Sequence, residues 1–294
     1  MTGTKLWYQT FSRFSAFGGY GEALRKCVKG AADPETVIDV SDLQKGGGIA
    51  DQYRYLEYLD TAEVISNGLR AQQEGYDAFL IGNIADPGIR ELREVLTIPV
   101  LGLCETSLSI ACMMGASFCL VSVNDKFTPR VVESVKRYGF LGRMTSIEPM
   151  SVAHLPKLAA GFSDSVADAE ARKAILDGFM QAARNGVAKG AEVVIPAGGV
   201  VMALLAHVGV HDVDGVPILN GTLVLTKMGE TAVKLKRLTG HFTSKQNTYA
   251  PPSGDVLKAV RSVYGQDVYP GAGHPGAGHP GAGHPGAGHP GAGD

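Results

Sequence analysis

Apolar residues along this chain gather in short continuous runs. Ala78–Gly82, Val100–Cys104, Ser117–Val123 and Val193–Pro196 are each four to seven residues of mainly Val, Ile, Leu, Phe and Cys, with little alternation of polar positions. Runs of that length and make-up fit strands buried on both faces of a mainly parallel sheet. Lys5–Phe11, Thr36–Val40, Thr145–Glu148 and Pro217–Asn220 complete the predicted strands. Helical stretches alternate with them at Gly21–Lys29, Leu56–Glu74, Pro87–Leu96, Leu108–Met114, Pro129–Tyr138, Asp168–Lys189, Val200–His207 and Leu223–Thr239. Asp86-Pro87 and Thr128-Pro129 each read as an N-cap with proline at the first helical position. Strand–helix alternation predicts an open α/β architecture, in which ligands bind beyond the carboxyl ends of the strands.

The pattern occurs twice. Residues 75–106 open with Gly-Tyr-Asp-Ala-Phe-Leu-Ile-Gly-Asn and close with Ile-Pro-Val-Leu-Gly-Leu-Cys-Glu-Thr. Residues 190–222 open with Gly-Ala-Glu-Val-Val-Ile-Pro-Ala-Gly and close with Val-Pro-Ile-Leu-Asn-Gly-Thr. The duplication predicts two pseudo-symmetric, open, mainly parallel-sheet α/β lobes with the site in the cleft between them. One lobe is expected at 1–99 plus 222–268 and the other at 100–221. The last residues, from 269 to 294, repeat His-Pro-Gly-Ala-Gly and cannot build a core, so a disordered or polyproline-like tail is expected there. Its histidines, His274, His279, His284 and His289, are weak metal-ligand candidates, set against a tail with no part in the chemistry.

The sequence has 294 residues, 45% of them hydrophobic and 19% charged, with a net charge of −2, which is ordinary for a packed globular chain. The absence of a basic block speaks against nucleic acid or a membrane surface as partner. The beginning of the chain has no apolar leader run, and no apolar run is long enough to span a bilayer. Cys27, Cys104, Cys112 and Cys119 lack paired spacing, so reduced thiols in the cytoplasm are expected. No cofactor is expected. The expected partners are a small-molecule substrate and further copies of the same chain.

The segments Gly75–Gly88 and Ile98–Glu105, with Asp86-Pro87-Gly88 and Glu105 among them, and the second-half segment Gly190–Gly199, resemble the aspartate/glutamate/hydantoin racemase superfamily, most of all its hydantoin racemase branch. The resemblance covers most of residues 1–250. It implies two opposed cysteine thiols, one at the end of the first strand of each repeat, because inversion at Cα needs an acid and a base on opposite faces. Here the first position is Asn83, and the second is Gly198, or Ala197 in a register one shorter. The two-thiol scheme therefore does not transfer, and the single-thiol pattern that resembles arylmalonate decarboxylase is absent as well.

The remaining candidates stand out by their positions. Cys104, expected at a strand end, is either a thiol in the cleft or a small core residue. Glu105 is either a general base or one half of an ion pair. Asn83 suits an oxyanion donor. Thr106, Ser107, Ser122, Asn124, Gly198, Gly199 and Asn220 are substrate or oxyanion donors, or ordinary caps. Gln9 and Arg13 follow the first strand, where Arg13 suits a substrate carboxylate or is solvated. His207 and His211 have metal-ligand spacing broken by Gly209, and Gly46–Gly48 suggests a lid. With one proton-transfer group in view, the expectation is a lyase, decarboxylase or hydrolase working through an enolate or tetrahedral oxyanion. The alternatives are a racemase using Cys104 with Glu105, or a non-catalytic ligand-binding relative.

Overall fold

A computed structural model describes residues 3–47, 52–152, 155–163 and 165–270. The tail repeat from residue 271, its four histidines and Gly48 of the expected lid lie outside the described residues.

Two parallel sheets organise the chain. The first has the order β2 (Thr36–Ser41), β1 (Thr4–Gln9), β3 (Ala78–Ile81), β4 (Val100–Gly102). The second has the order β6 (Met144–Pro149), β5 (Phe118–Ser122), β7 (Val193–Ala197). All the pairings within these two sheets are parallel. The helices are α1 (Tyr20–Ala31), α2 (Arg54–Gln73), α3 (Ile89–Val95), α4 (Leu103–Met114), α5 (Thr128–Arg137), α6 (Ala169–Ala188), α7 (Gly199–Val208), α8 (Gly221–Thr239) and α9 (Gly254–Tyr264). The α/β class with mainly parallel sheets is thus as the sequence predicts.

The first sheet is buried on both sides, and its two faces use alternate residues. Trp7, Phe79, Ile81 and Val100 face a core completed by Val64 and Ala71 of α2 and Leu92 of α3. Leu6, Tyr8, Leu80 and Leu101 face the larger core, which runs on through Leu120, Val121, Val194 and Ile195 of the second sheet. One continuous apolar interior therefore joins the two sheets. Helix α8 lies against β1, β3 and β4, and α6 against β5, β6 and β7. Val100–Gly102, assigned by the duplication to the second lobe, hydrogen-bonds into the first sheet beside β3.

Local readings change at several points. The predicted strand at 217–220 is instead a two-residue hairpin, β8 (Asp212–Val213) with β9 (Val216–Pro217), followed by a single parallel bridge from Ile218 to Val194. Asp214 and Gly215 both have positive φ, 51° and 85°, the geometry an Asp-Gly turn supplies. Strand β4 stops at Gly102, so Cys104 and Glu105 lie in the first turn of α4. Asp86 does not cap the helix that follows it: α3 begins at Ile89 with Gly88 as its N-cap.

Candidate active site

The tips of the two sheets meet through glycine. A Cβ built on Gly199 would stand 2.8 Å from the carbonyl oxygen of Gly82, 3.7 Å from Leu103 and 3.8 Å from the Tyr20 hydroxyl. A Cβ on Gly82 would collide with the ring of Tyr8. Hence the chain just after β3 and the first residue of α7, just after β7, are in backbone contact, and only residues without side chains fit. Counting from Gly75 and Gly190, Asn83 and Gly198 are the equivalent next positions of the two repeats.

Asn83 is buried, and its Oδ1 accepts the Ala85 amide at 2.8 Å, folding the loop back on itself. Gly198 is half-buried, with Val123 Cγ2 3.7 Å from its ideal Cβ. Around this junction stands a buried hydroxyl group of residues. The Tyr8 hydroxyl donates to Thr222 Oγ1 at 3.4 Å, and burial holds its ionisation well above the usual tyrosine range. Ser107 Oγ is buried without a hydrogen-bond partner among the described residues and lies 2.2 Å from the ideal Cβ of Gly221. Asn220 is the N-cap of α8: its Oδ1 accepts from the amides of Thr222 (3.1 Å) and Leu223 (3.5 Å), and its Nδ2 donates to Met202 O. Asn83, Ser107, Gly198, Gly199 and Asn220 are thereby gathered near one junction, together with Tyr8, Tyr20 and Thr222.

Other candidates stand elsewhere. All of Gln9's polar atoms are engaged: Oε1 accepts from Trp7 and Asn67, and Nε2 donates to the carbonyls of Thr10 and Ser41. It ties β1 to β2 and α2. Arg13 supports the segment after β2, donating its backbone amide to Gly47 O and Nη2 to Gln44 O, while its Nε is buried without a hydrogen-bond partner among the described residues. Ser122 Oγ meets Thr128 Oγ1 at 2.6 Å, and Asn124 accepts from the Phe127 amide and donates to Val152 O, which shapes the turn into α5. Thr106 is buried in α4.

Cys104 and Glu105 are organised by Asp86. Its buried carboxylate accepts the Cys104 amide at 2.9 Å, the Glu105 amide at 3.0 Å and the Tyr138 hydroxyl at 2.7 Å. Asp86, whose φ is 49°, therefore caps α4 from 18 and 19 residues away. Burial pushes its carboxyl up to about 6, opposed by these three hydrogen bonds. The Cys104 thiol is fully buried and pushed well above its ordinary value, first by burial and then by the charge of Asp86. The Glu105 carboxylate is held by the Arg93 guanidinium, which also donates to Val100 O. Sequence reasoning did not find Tyr8, Tyr20, Tyr138, Thr222 and Arg93 because their roles depend on partners remote in the chain. Asp86 was visible, but as a cap for the wrong helix.

His207 lies in the last turn of α7, which Gly209 ends with φ 73°. Among the described residues, no group of three or more His, Cys, Asp or Glu is arranged to hold a metal. No described helix is long and apolar enough to cross a membrane.

Comparison with known proteins adds the following. A family model described as Asp/Glu/Hydantoin racemase matches residues 20–229. A hydantoin racemase from Pseudomonas sp. (strain NS671) is 30% identical over 231 residues, covering 79% of this chain and 86% of that protein. A hydantoin racemase from Paenarthrobacter aurescens is 28% identical over 224 residues, covering 74% and 86%. In fold, the chain is similar to allantoin racemase from Pseudomonas fluorescens, with a TM-score of 0.72 at 22% identity over 85% of this chain and 98% of the other. The two-lobed racemase arrangement predicted from the duplication is the fold of these neighbours. The names of the sequence relatives overturn the expectation of a lyase, decarboxylase or hydrolase: they point to a racemase. That expectation rested on counting proton-transfer groups, and a shortage of such groups does not by itself select a bond-breaking reaction.

Proposed function

Because this chain belongs to the Asp/Glu/hydantoin racemase family, we propose that it is a racemase-type isomerase acting on a small five-membered ring of the hydantoin kind, bound where the tips of β3 and β7 converge. The observation that supports this most is the contact of Gly199 with the Gly82 carbonyl, since it puts Asn83 and Gly198 at the edges of one junction. In a hydantoin the exchangeable Cα–H lies beside a ring carbonyl. Its removal places negative charge on that oxygen, so stabilising the oxyanion lowers the barrier. The Asn83 carboxamide and the amides of Gly198 and Gly199, at the start of α7, are the donors in this proposal. The resulting enolate is planar and loses configuration when a proton returns from either face.

Cys104 and Glu105 do not fit the role of an opposed acid and base. They are neighbours in one helical turn, their amides share the Asp86 carboxylate, and Glu105 is paired with Arg93. Racemisation in this proposal comes from enolate stabilisation, with solvent carrying the proton. A second reading, a ligand-binding relative without turnover, is favoured by the residue types at positions 83 and 198, since neither asparagine nor glycine exchanges a side-chain proton near neutral pH.

The test is to incubate one enantiomer of a 5-substituted hydantoin with the protein in heavy water. Optical rotation and NMR of the ring C–H are followed against a protein-free control. Loss of rotation with deuterium uptake, slowed about 10²–10³-fold in Asn83→Ala, supports the racemase. Saturable binding without exchange supports the second reading, and absence of both overturns the two together.

A further inference from the structure

Residues 85–91, the loop and first helical residues that follow Asn83, form the floor of a cleft of about 380 Å³ whose walls are the start of α2 and one face of α5. Arg54, Glu57, Asp86, Arg90, Arg130 and Arg137 line it, and Asn83 does not. We propose that this cleft is a second ligand site, separate from the strand tips, for a small and multiply charged oxyanion.

The pairing of charges carries the argument. Glu57 is taken by Arg130, and Arg54 and Arg130 share Glu133. Asp86 is occupied by the two α4 amides and Tyr138. Among the described residues, Arg137 donates only to uncharged oxygens, Ala85 O at 3.0 Å and the Tyr138 hydroxyl at 3.3 Å, with its guanidinium over the Tyr138 ring. Arg90 is exposed, and its side chain has no hydrogen bond or ion pair among the described residues. Arg130 Nε is buried and has no hydrogen-bond partner among the described residues. Among the described residues, the cleft thus has two guanidiniums without an acidic partner and one orphaned guanidinium N–H, against the exposed Glu91 that also lines it.

Guanidinium forks recognise carboxylate and phosphate oxygens through paired, charge-assisted hydrogen bonds. A monovalent anion satisfies one fork, and a multivalent one satisfies both. The volume is in the range of small-molecule sites. The two sites are linked through Ala85, whose carbonyl accepts from Arg137 and whose amide is bound to Asn83 Oδ1.

Binding to the full chain is measured by calorimetry with citrate, pyrophosphate and acetate at one ionic strength. Citrate or pyrophosphate, or both, should bind saturably and at least about ten-fold tighter than acetate. The preferred one distinguishes a polycarboxylate from a phosphate ligand. Arg90→Ala removes an exposed side chain and should weaken that binding about ten-fold, and Arg137→Lys should weaken it by at least as much, each with the circular dichroism spectrum unchanged. Multivalent anions binding no tighter than acetate, or unaltered binding in both variants, would overturn the proposal.

Discussion

A single methyl group added at either of two adjacent glycines should have unequal consequences. In Gly199→Ala the new carbon would stand 2.8 Å from the backbone oxygen of Gly82, closer by about half an ångström than carbon–oxygen contact allows. The obstacle is main chain, which cannot rotate aside, so the two strand tips must separate. Overpacking of this kind costs about 1–3 kcal/mol. In Gly198→Ala the new carbon meets nothing nearer than Val123 Cγ2 at 3.7 Å and Val201 Cγ2 at 4.0 Å. The backbone there has φ 168°, extended conformation open to any residue. That change should stay within about 0.5 kcal/mol of wild type. Urea unfolding followed by far-ultraviolet circular dichroism measures both. The expected result is a lower midpoint for Gly199→Ala alone, at unchanged slope. Equal stability of the two variants would refute the close approach of the tips, and with it the shared site.

Other expectations follow from the same geometry. The Asp86 carboxyl is raised from 3.8 to about 6 by burial, so the folded chain keeps this proton to higher pH than the unfolded chain. The stability tied to it is present below about pH 4 and is lost as pH rises through 6, about 3 kcal/mol in all. The unfolding free energy of wild type minus that of Asp86→Asn should fall by about this amount from pH 4 to pH 7, and a flat difference would exclude the raised value. Asn220→Ala removes the α8 cap and should cost about 1 kcal/mol in the same urea assay. A midpoint like wild type's would show that the cap is idle. With a thiol reagent at pH 8, Cys112 should react first. Cys27 should be slower because burial pushes it up to about 11, and Cys104 and Cys119 should react only on unfolding. Early labelling of Cys104 would place its thiol at the surface.

The fold was legible because its signals are local. Continuous apolar runs such as those within Phe118–Ser122 and Val193–Ala197 fit strands covered on both sides, and the glycine-opened repeat marks two comparable halves. The candidate site was legible only as positions. Asn83 and Gly198 follow from the resemblance at the strand ends, and Asn220 from the matching end of the second repeat, where the structure makes it the cap of α8. What escaped depends on tertiary partners. Asp86 before proline looks like the cap of its own helix, yet its carboxylate serves amides 18 and 19 residues on. Glu105 looks like an available base until Arg93 is brought beside it. Gln9 looks like a substrate ligand until Trp7, Asn67, Thr10 and Ser41 consume its polar atoms. Asp214-Gly215 carries a hairpin signal that the strand reading of 217–220 left unused.

The central claim is that the tips of β3 and β7 serve one ligand. A crystal structure with a 5-substituted hydantoin bound tests it most directly. The account predicts the ring at the Gly82–Gly199 junction, with one carbonyl oxygen within hydrogen-bonding distance of the Asn83 carboxamide or the Gly198 and Gly199 amides. A ring seated anywhere else in the molecule would contradict it.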